Sequence, residues 1–335
     1  MAPTRSWPVT RAPDAAGEVA DCLGGAVHLA YAELPDAGLA VITAGFAGYE
    51  AQTVARARAR LRALHHLRTL PGGDQAGDVA AELRLADFLA DPPESVRASV
   101  AGVGLLSGKR YRLPVEVVWT GDQECLVEPA TAGVVDHGVP EAIADVLAQD
   151  VVIRWWAGPS RPLLRVSAYL DRLLPDSVMA SAGRLGLRVS AFVLSAPGAR
   201  IALVVVGGDG ATLAVAAGRT VKAAVGEAFL RAMAAKAQPW STLPLADCLR
   251  RFAVWHREGD YAAYLEGRAA DAGPRLVDEL GGLRPSSWPE IAARRFGHEP
   301  VAVEAGPGEA VKVVCPGAAL YRAAGAATPL PCPTP

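Results

Sequence analysis

Side chains able to do chemistry are scattered along this sequence, and their spacing limits what each can do. His65 and His66 are adjacent, and adjacent residues on a helix point about 100° apart. The pair therefore reads as solvated or partner-facing, not as two ligands of one ion. Arg56, Arg58, Arg60 and Arg62 recur at every second position, which spreads them round a helix. Within that run Arg58, Arg62 and His65 share one face, a stripe suited to an acidic peptide or partner. Trp155–Trp156 reads first as a core anchor and second as an interface. The GGDGA stretch beginning at Gly207 lacks the length and the Lys-Ser/Thr of a phosphate loop and reads as a hairpin turn. The five cysteines, Cys22, Cys125, Cys248, Cys315 and Cys332, form no CxxC. That pattern fits a reducing cytoplasm and argues against both a disulfide framework and a zinc site. Cys332 has no base at a recognisable spacing, so its case as a nucleophile is weak. Around it the chain closes on alternating prolines, Pro329, Pro331, Pro333 and Pro335, either a frayed tail or a stiff extended arm.

These residues need a scaffold, and the composition supplies one. The 335 residues are 51% hydrophobic with a formal net charge of −2, a folded chain with no basic excess to draw nucleic acid. The opening MAPTRSWPVTRAPD has no apolar run of the secretory kind. The longest apolar stretch, 201–218, is broken by Gly207, Gly208 and Asp209, against a membrane span. Residues 1–24 read as a flexible leader, followed by two strands around Pro35-Asp36-Ala37-Gly38. Helices are expected at about 51–69, 78–90, 139–156, 167–184 and 219–237, with further helical pieces near 243–272 and 275–295. Strands are expected in KRYRLPVEVVWT, ECLVEPATAGV, LRVSAFVLS, ARIALVVVG, ATLAVAAG and EAVKVVCP. Hairpin-linked strands interleaved irregularly with helices predict an α+β fold with a mixed sheet in one large domain. Three segments repeat the order strand, glycine-bearing turn, Ala-rich helix, those whose helices run 51–69, 139–156 and 219–237.

In this order the three segments resemble the YcaO family. PATAGVVDHGVPEAIADVLAQDVVIRWW is similar to its central signature through Thr131, Gly133, Ala142, Ile143, Asp150 and Trp156. RFAVWHREGDYAAYL resembles a region of the azoline-forming branch, keeping His256 and Tyr261 or Tyr264. VKVVCPGAALYR resembles that branch's last strand and PLPCPTP its proline-rich end, so the likeness runs over about residues 25–335. It divides the chain into the leader 1–24, a YcaO-like domain 25–328 and an arm 329–335. The resemblance implies ATP-dependent formation of azolines from Cys, Ser or Thr of a ribosomally made precursor peptide. It also implies catalytic help from the terminal arm, through Pro331, Pro333 and the carboxylate of Pro335, and a separate leader-peptide-binding partner.

The chain departs from the family where magnesium and ATP would bind. The resemblance calls for glutamates at i, i+3 on the three helices. Here the positions of the central helix are Asp145 and Ala148, followed by Gln149 in place of arginine. In the first helix they fall among Arg62, Leu64, His65 and His66, and in the third near Arg231, with Glu227 one turn earlier. Asp145, Arg58, Arg62, Glu227 and Arg231 are thus expected to be the remnant of a nucleotide site, with no metal and no cofactor held. The expected role is a degenerate component of thiazole/oxazole-type peptide modification, partnered with an active YcaO protein or a leader-binding subunit in a homo- or hetero-oligomer. Neither nucleic acid nor membrane is an expected partner. The alternative is an active cyclodehydratase using ATP and Mg²⁺ through a rebuilt site, with arginines taking the phosphates directly.

Overall fold

The computed structural model describes residues 18–37, 39–68, 79–89, 98–118, 133–135, 138–158, 161–208, 211–237, 259–278, 286–304, 311–319 and 332. The expected α+β architecture is present, with its strands distributed over three sheets. The first is antiparallel in the order β1 (Glu18–Cys22), β2 (Val27–Leu34), β3 (Leu39–Phe46). β1 corrects the expected leader: residues 18–22 pair with β2 from Glu18↔Tyr31 to Cys22↔Val27. Burial of Cys22 and Leu23 in a core cluster holds that strand in place.

The second sheet has the order β11-β10-β9-β8-β12, with β8 (Leu163–Arg165), β9 (Val189–Ala196), β10 (Ala199–Val206), β11 (Thr212–Gly218) and β12 (Ala269–Asp271). β12 runs parallel to β8 while the hairpins β9–β10 and β10–β11 are antiparallel, so the sheet is mixed. Side chains alternate across a strand, and every residue of β10 is buried because both faces are covered. Ala202, Val204 and Ala216 belong to one core cluster and Leu203, Val205, Leu213 and Val215 to another.

The third sheet has the order β4-β6-β5-β13-β14-β7, from β4 (Ala81–Glu82), β5 (Ser99–Gly104), β6 (Arg110–Pro114), β7 (Val134–Val135), β13 (Val301–Glu304) and β14 (Val311–Val314). Within the range expected as a helix near 78–90, the described residues 79–89 form β4 and a tight turn. Leu83, Leu85 and Phe88 reach the core from there while Ala81 pairs with Tyr111.

Three long helices serve these sheets. α1 (Glu50–Arg68) uses Ala57 and Leu61 against Ala30, Ala32, Leu39 and Val41, and Ala63 and Leu67 in the main core. α2 (Val139–Ala157) is buried without a break from Ala142 to Ala148, the pattern of a helix enclosed on all sides. α5 (Val221–Ala237) follows α3 (Leu170–Leu173) and α4 (Asp176–Arg184). These last two replace the single helix expected over 167–184. Pro175 biases Leu174 toward an extended backbone, ψ 161°, and the helix stops there. α6 (Tyr261–Glu266), α7 (Pro274–Val277) and α8 (Trp288–Phe296) complete the described helices. α8 has a capping box between Ser287 and Glu290, and Gly297 ends it at φ 78°. No helix among the described residues is long and apolar enough to cross a membrane.

Candidate functional site

α5 packs against one face of the five-stranded sheet and α2 against the other. Side chains from the two helices meet past the edge strand β11. Asp145 of α2 takes a hydrogen bond on Oδ1 from the Arg231 guanidinium of α5 at 2.5 Å. Glu227, one turn before Arg231, accepts from its Nε at 3.0 Å. A third oxygen, the Val215 carbonyl of β11, accepts from Arg231 at 3.3 Å. Asp145 and Gln149 are likewise one turn apart, and the Gln149 amide lies 3.5 Å from Asp145 Oδ2. From α1, Arg56 stands 3.9 Å from Glu227 Oε2, and Arg60 acts on Asp145 through its charge.

Gly133 completes the cradle, donating its backbone N–H to Asp145 Oδ2 at 2.9 Å. Its φ is +73°, and a Cβ there would stand 2.5 Å from the Val313 carbonyl, so only glycine brings that N–H to the carboxylate.

Charge is arranged around Asp145 accordingly. Burial alone would raise its pKa, but Arg231, the Gly133 N–H and Arg60 outweigh burial and hold the carboxyl below its ordinary range. Glu227 is lowered against its own desolvation by Arg231 and Arg56. Burial likewise works against the Arg231 charge, yet Asp145 and Glu227 raise its pKa on balance. The cluster is partly open: the side chains of Arg231 and Glu227 are 28% and 37% exposed. On β14, behind Asp145, Lys312 is fully buried. Desolvation pulls it down to about 7, although Asp145 and Cys315 both favour its charged form.

Three of the five expected remnant residues, Asp145, Glu227 and Arg231, therefore converge. Arg58 and Arg62 do not: both are exposed. Arg56 and Arg60 face the cluster in their place, since a two-residue step turns a helix by about 200°. His65 and His66 are exposed as well, their ring centroids 6.1 Å apart. Three contributors escaped the sequence reading. Arg56 and Arg60 were hidden in an arginine run that offers every face, whereas Lys312 carried a signal, a lone charge inside the apolar strand VKVV. Glu141 also stands four residues before Asp145, but it is exposed in the first turn of α2. Among the described residues no three His, Cys, Asp or Glu side chains are grouped to hold a metal.

A second buried carboxylate, Asp150, lies further along α2. It is paired with Arg154 at 2.9 Å and Arg295 of α8 at 2.5 Å, and it accepts the Ala319 N–H at 2.7 Å. Trp156 and Trp155 are core residues, as first read; Trp156 stacks on Tyr264 at 4.8 Å and lies 5.9 Å from Tyr261. Cys332 is buried in the same core cluster as Tyr261. Desolvation raises the Tyr261 pKa, and Cys332 adds to the rise. Thr131, His256, Pro331, Pro333 and Pro335 lie outside the described residues.

The fold that positions this cluster is shared with solved YcaO proteins. The YcaO protein of Methanopyrus kandleri, solved with AMPPCP and Mg²⁺, matches with a TM-score of 0.62 at 17% identity, over 91% of this chain and 86% of that one. A heterocyclase in complex with substrate and cofactor matches with 0.62 at 13% identity; 91% of this chain covers 50% of that longer one. The E. coli microcin synthetase McbBCD complex with pro-MccB17 bound gives 0.62 at 12% identity, over 93% of this chain and 89% of that one. No protein-family model matches the sequence. No curated protein matches it either. At these identities the likeness establishes a shared fold.

Proposed function

We propose that this chain is a YcaO-type component of ribosomal-peptide modification, acting as a non-hydrolysing partner or scaffold of an azoline-forming cyclodehydratase complex. One observation carries the reading: the two carboxylates that reach the cluster among the described residues, Asp145 and Glu227, are both spent on Arg231. The fold's Methanopyrus kandleri representative binds AMPPCP and Mg²⁺, but the residues here do not fit that pair. Mg²⁺ demands several oxygen ligands in near-octahedral geometry. Here a guanidinium stands among the available oxygens, with Arg56 and Arg60 adding positive charge around it. No chemical step is therefore assigned to nucleotide or metal. The microcin synthetase neighbour is a complex holding its precursor, which supports a precursor peptide and a leader-binding protein as partners for this chain. The terminal arm with Pro331, Pro333 and Pro335 would then serve contact within such a complex.

A second reading, an active ATP-dependent cyclodehydratase with a rebuilt site, draws support from Arg56, Arg60 and Arg231 gathering in one place. Guanidinium forks match phosphate oxygens and could take over part of a metal's work. Reconstitution separates the two. The chain is assayed on its precursor alone, and again with an active YcaO cyclodehydratase and a leader-binding protein from the same source. The expected result is no ATP turnover alone, co-elution with the complex, and modification that is insensitive to Asp145→Ala. Loss of water from the precursor, driven by ATP and this chain alone, would overturn the proposal.

A further inference from the structure

Arg231 sits in a shell of three oxygen acceptors drawn from three elements. Its guanidinium is approached by a carboxylate oxygen of α2 at 2.5 Å, a carboxylate oxygen of α5 at 3.0 Å and a backbone carbonyl oxygen of β11 at 3.3 Å. Two carboxylates and a carbonyl are the donor set that hard divalent cations select. The carboxylates come from helices on opposite faces of a sheet and the carbonyl from its edge strand, and all three converge on one side chain. From these contacts we infer that Arg231 is a resident cation: it fills a latent oxygen-donor site, so that the native cluster is complete without a divalent ion and closed to one. The inference rests on the reading of this cluster given above and deepens it, because it names the single residue that excludes the metal.

The charge count supports this assignment. Asp145 and Glu227 bring two negative charges, both held ionised mainly by Arg231 against the cost of burial. A divalent ion entering beside Arg231 would meet that guanidinium, with Arg56 and Arg60 close by. Replacing Arg231 by an acid changes the local charge by two and adds a carboxylate one turn after Glu227, on the same helix face. Asp145, Glu227 and the new carboxylate would then converge from two helices, with the Val215 carbonyl as a fourth donor.

The probe is Mn²⁺ alone, added to the metal-stripped full-length chain. Free ion is followed by its paramagnetic resonance signal, and thermal unfolding is measured with Mn²⁺ and with EDTA. The wild type is expected to leave the free-ion signal unchanged and to unfold at the same temperature in both media. Arg231→Glu is expected to bind one ion at least tenfold more tightly than any residual wild-type binding and to gain thermal stability with Mn²⁺. The double variant Asp145→Asn/Arg231→Glu should lose that gain. Arg231→Gln, neutral and closer to the native shape, guards against a folding failure and should bind Mn²⁺ more weakly than Arg231→Glu but above the wild type. Stoichiometric binding by the wild type would overturn both this inference and the proposed function. Folded Arg231 variants that ignore Mn²⁺ would overturn the inference alone, leaving the proposed function to its nucleotide and partner tests.

Discussion

Asp145 and Asp150 stand five residues apart on α2, each is buried and each is paired with arginine, yet their surroundings differ. The Asp150 carboxyl is fully sealed: Arg295 and Arg154 take its oxygens, and the Ala319 N–H joins them from the turn after β14. Arg154 in turn donates to the Gly317 carbonyl at 2.8 Å, so the node ties α2, α8 and the 317–319 turn together. Asp145 faces a cluster in which Arg56 of α1 and Glu227 and Arg231 of α5 are each about one third exposed. One carboxylate has become a structural rivet. The other keeps the partial solvent access that a site needs but has been given an internal counter-ion.

The largest expected effect separates the two directly. Asp150→Ala leaves Arg295 without its buried partner and should cost about 3–5 kcal/mol in chemical denaturation. Asp145→Ala should cost less, roughly 1.5–3 kcal/mol, because Arg231 retains Glu227 and access to water. Equal losses would erase the distinction between rivet and site.

A smaller effect concerns Lys312. Its pKa in the native state is about 7 against an ordinary 10.5. Between those values the unfolded chain holds a proton that the native chain does not, so stability rises with pH across that window. Lys312→Met should flatten this rise and stabilise the protein below pH 7, as read from urea midpoints at several pH values. An unchanged slope would mean that the lysine does not titrate there.

The smallest effect concerns Glu299, which is hydrogen-bonded to neither buried carboxylate of α2. Glu299 accepts from Ser107, Tyr111 and the Leu106 and Ser107 N–H groups. Burial would raise its pKa, but these hydrogen bonds bring it down to about 2 from 4.5. Its contribution is fully present above about pH 4.5 and lost as pH falls toward 2. Glu299→Gln should therefore flatten the acid limb of the stability curve while leaving neutral-pH behaviour of the Asp145 cluster untouched.

Much of this arrangement was legible before any coordinates. The hairpins β9–β10–β11 follow from apolar runs separated by Pro197-Gly198 and by a glycine-rich turn. α1, α2 and α5 follow from Ala-rich runs bounded by glycine or proline, to within a residue or two. β5 and β13 were not legible: SVAGVG and VAVE are short, and they are stabilised by pairing nearly 200 positions apart in sequence. Within the site, Glu227 and Arg231 could be placed together because one helical turn separates them. Arg58 and Arg62 are exposed while Arg56 and Arg60 meet the cluster, for a physical reason. Arginine at every second position offers a cation on every face of α1. Only the packing of Ala57 and Leu61 on the first sheet, and of Ala63 and Leu67 in the main core, fixes the rotation that turns Arg56 and Arg60 inward. Lys312 could have been suspected from the sequence, but nothing local says that its strand passes behind Asp145.

The most direct test of the account is isothermal titration calorimetry of the isolated full-length chain with MgATP at neutral pH. With Arg231 occupying the space between Asp145 and Glu227, the account predicts heats of dilution only and no saturable binding. A one-to-one isotherm in the micromolar range, abolished by EDTA and by Asp145→Asn, would contradict it.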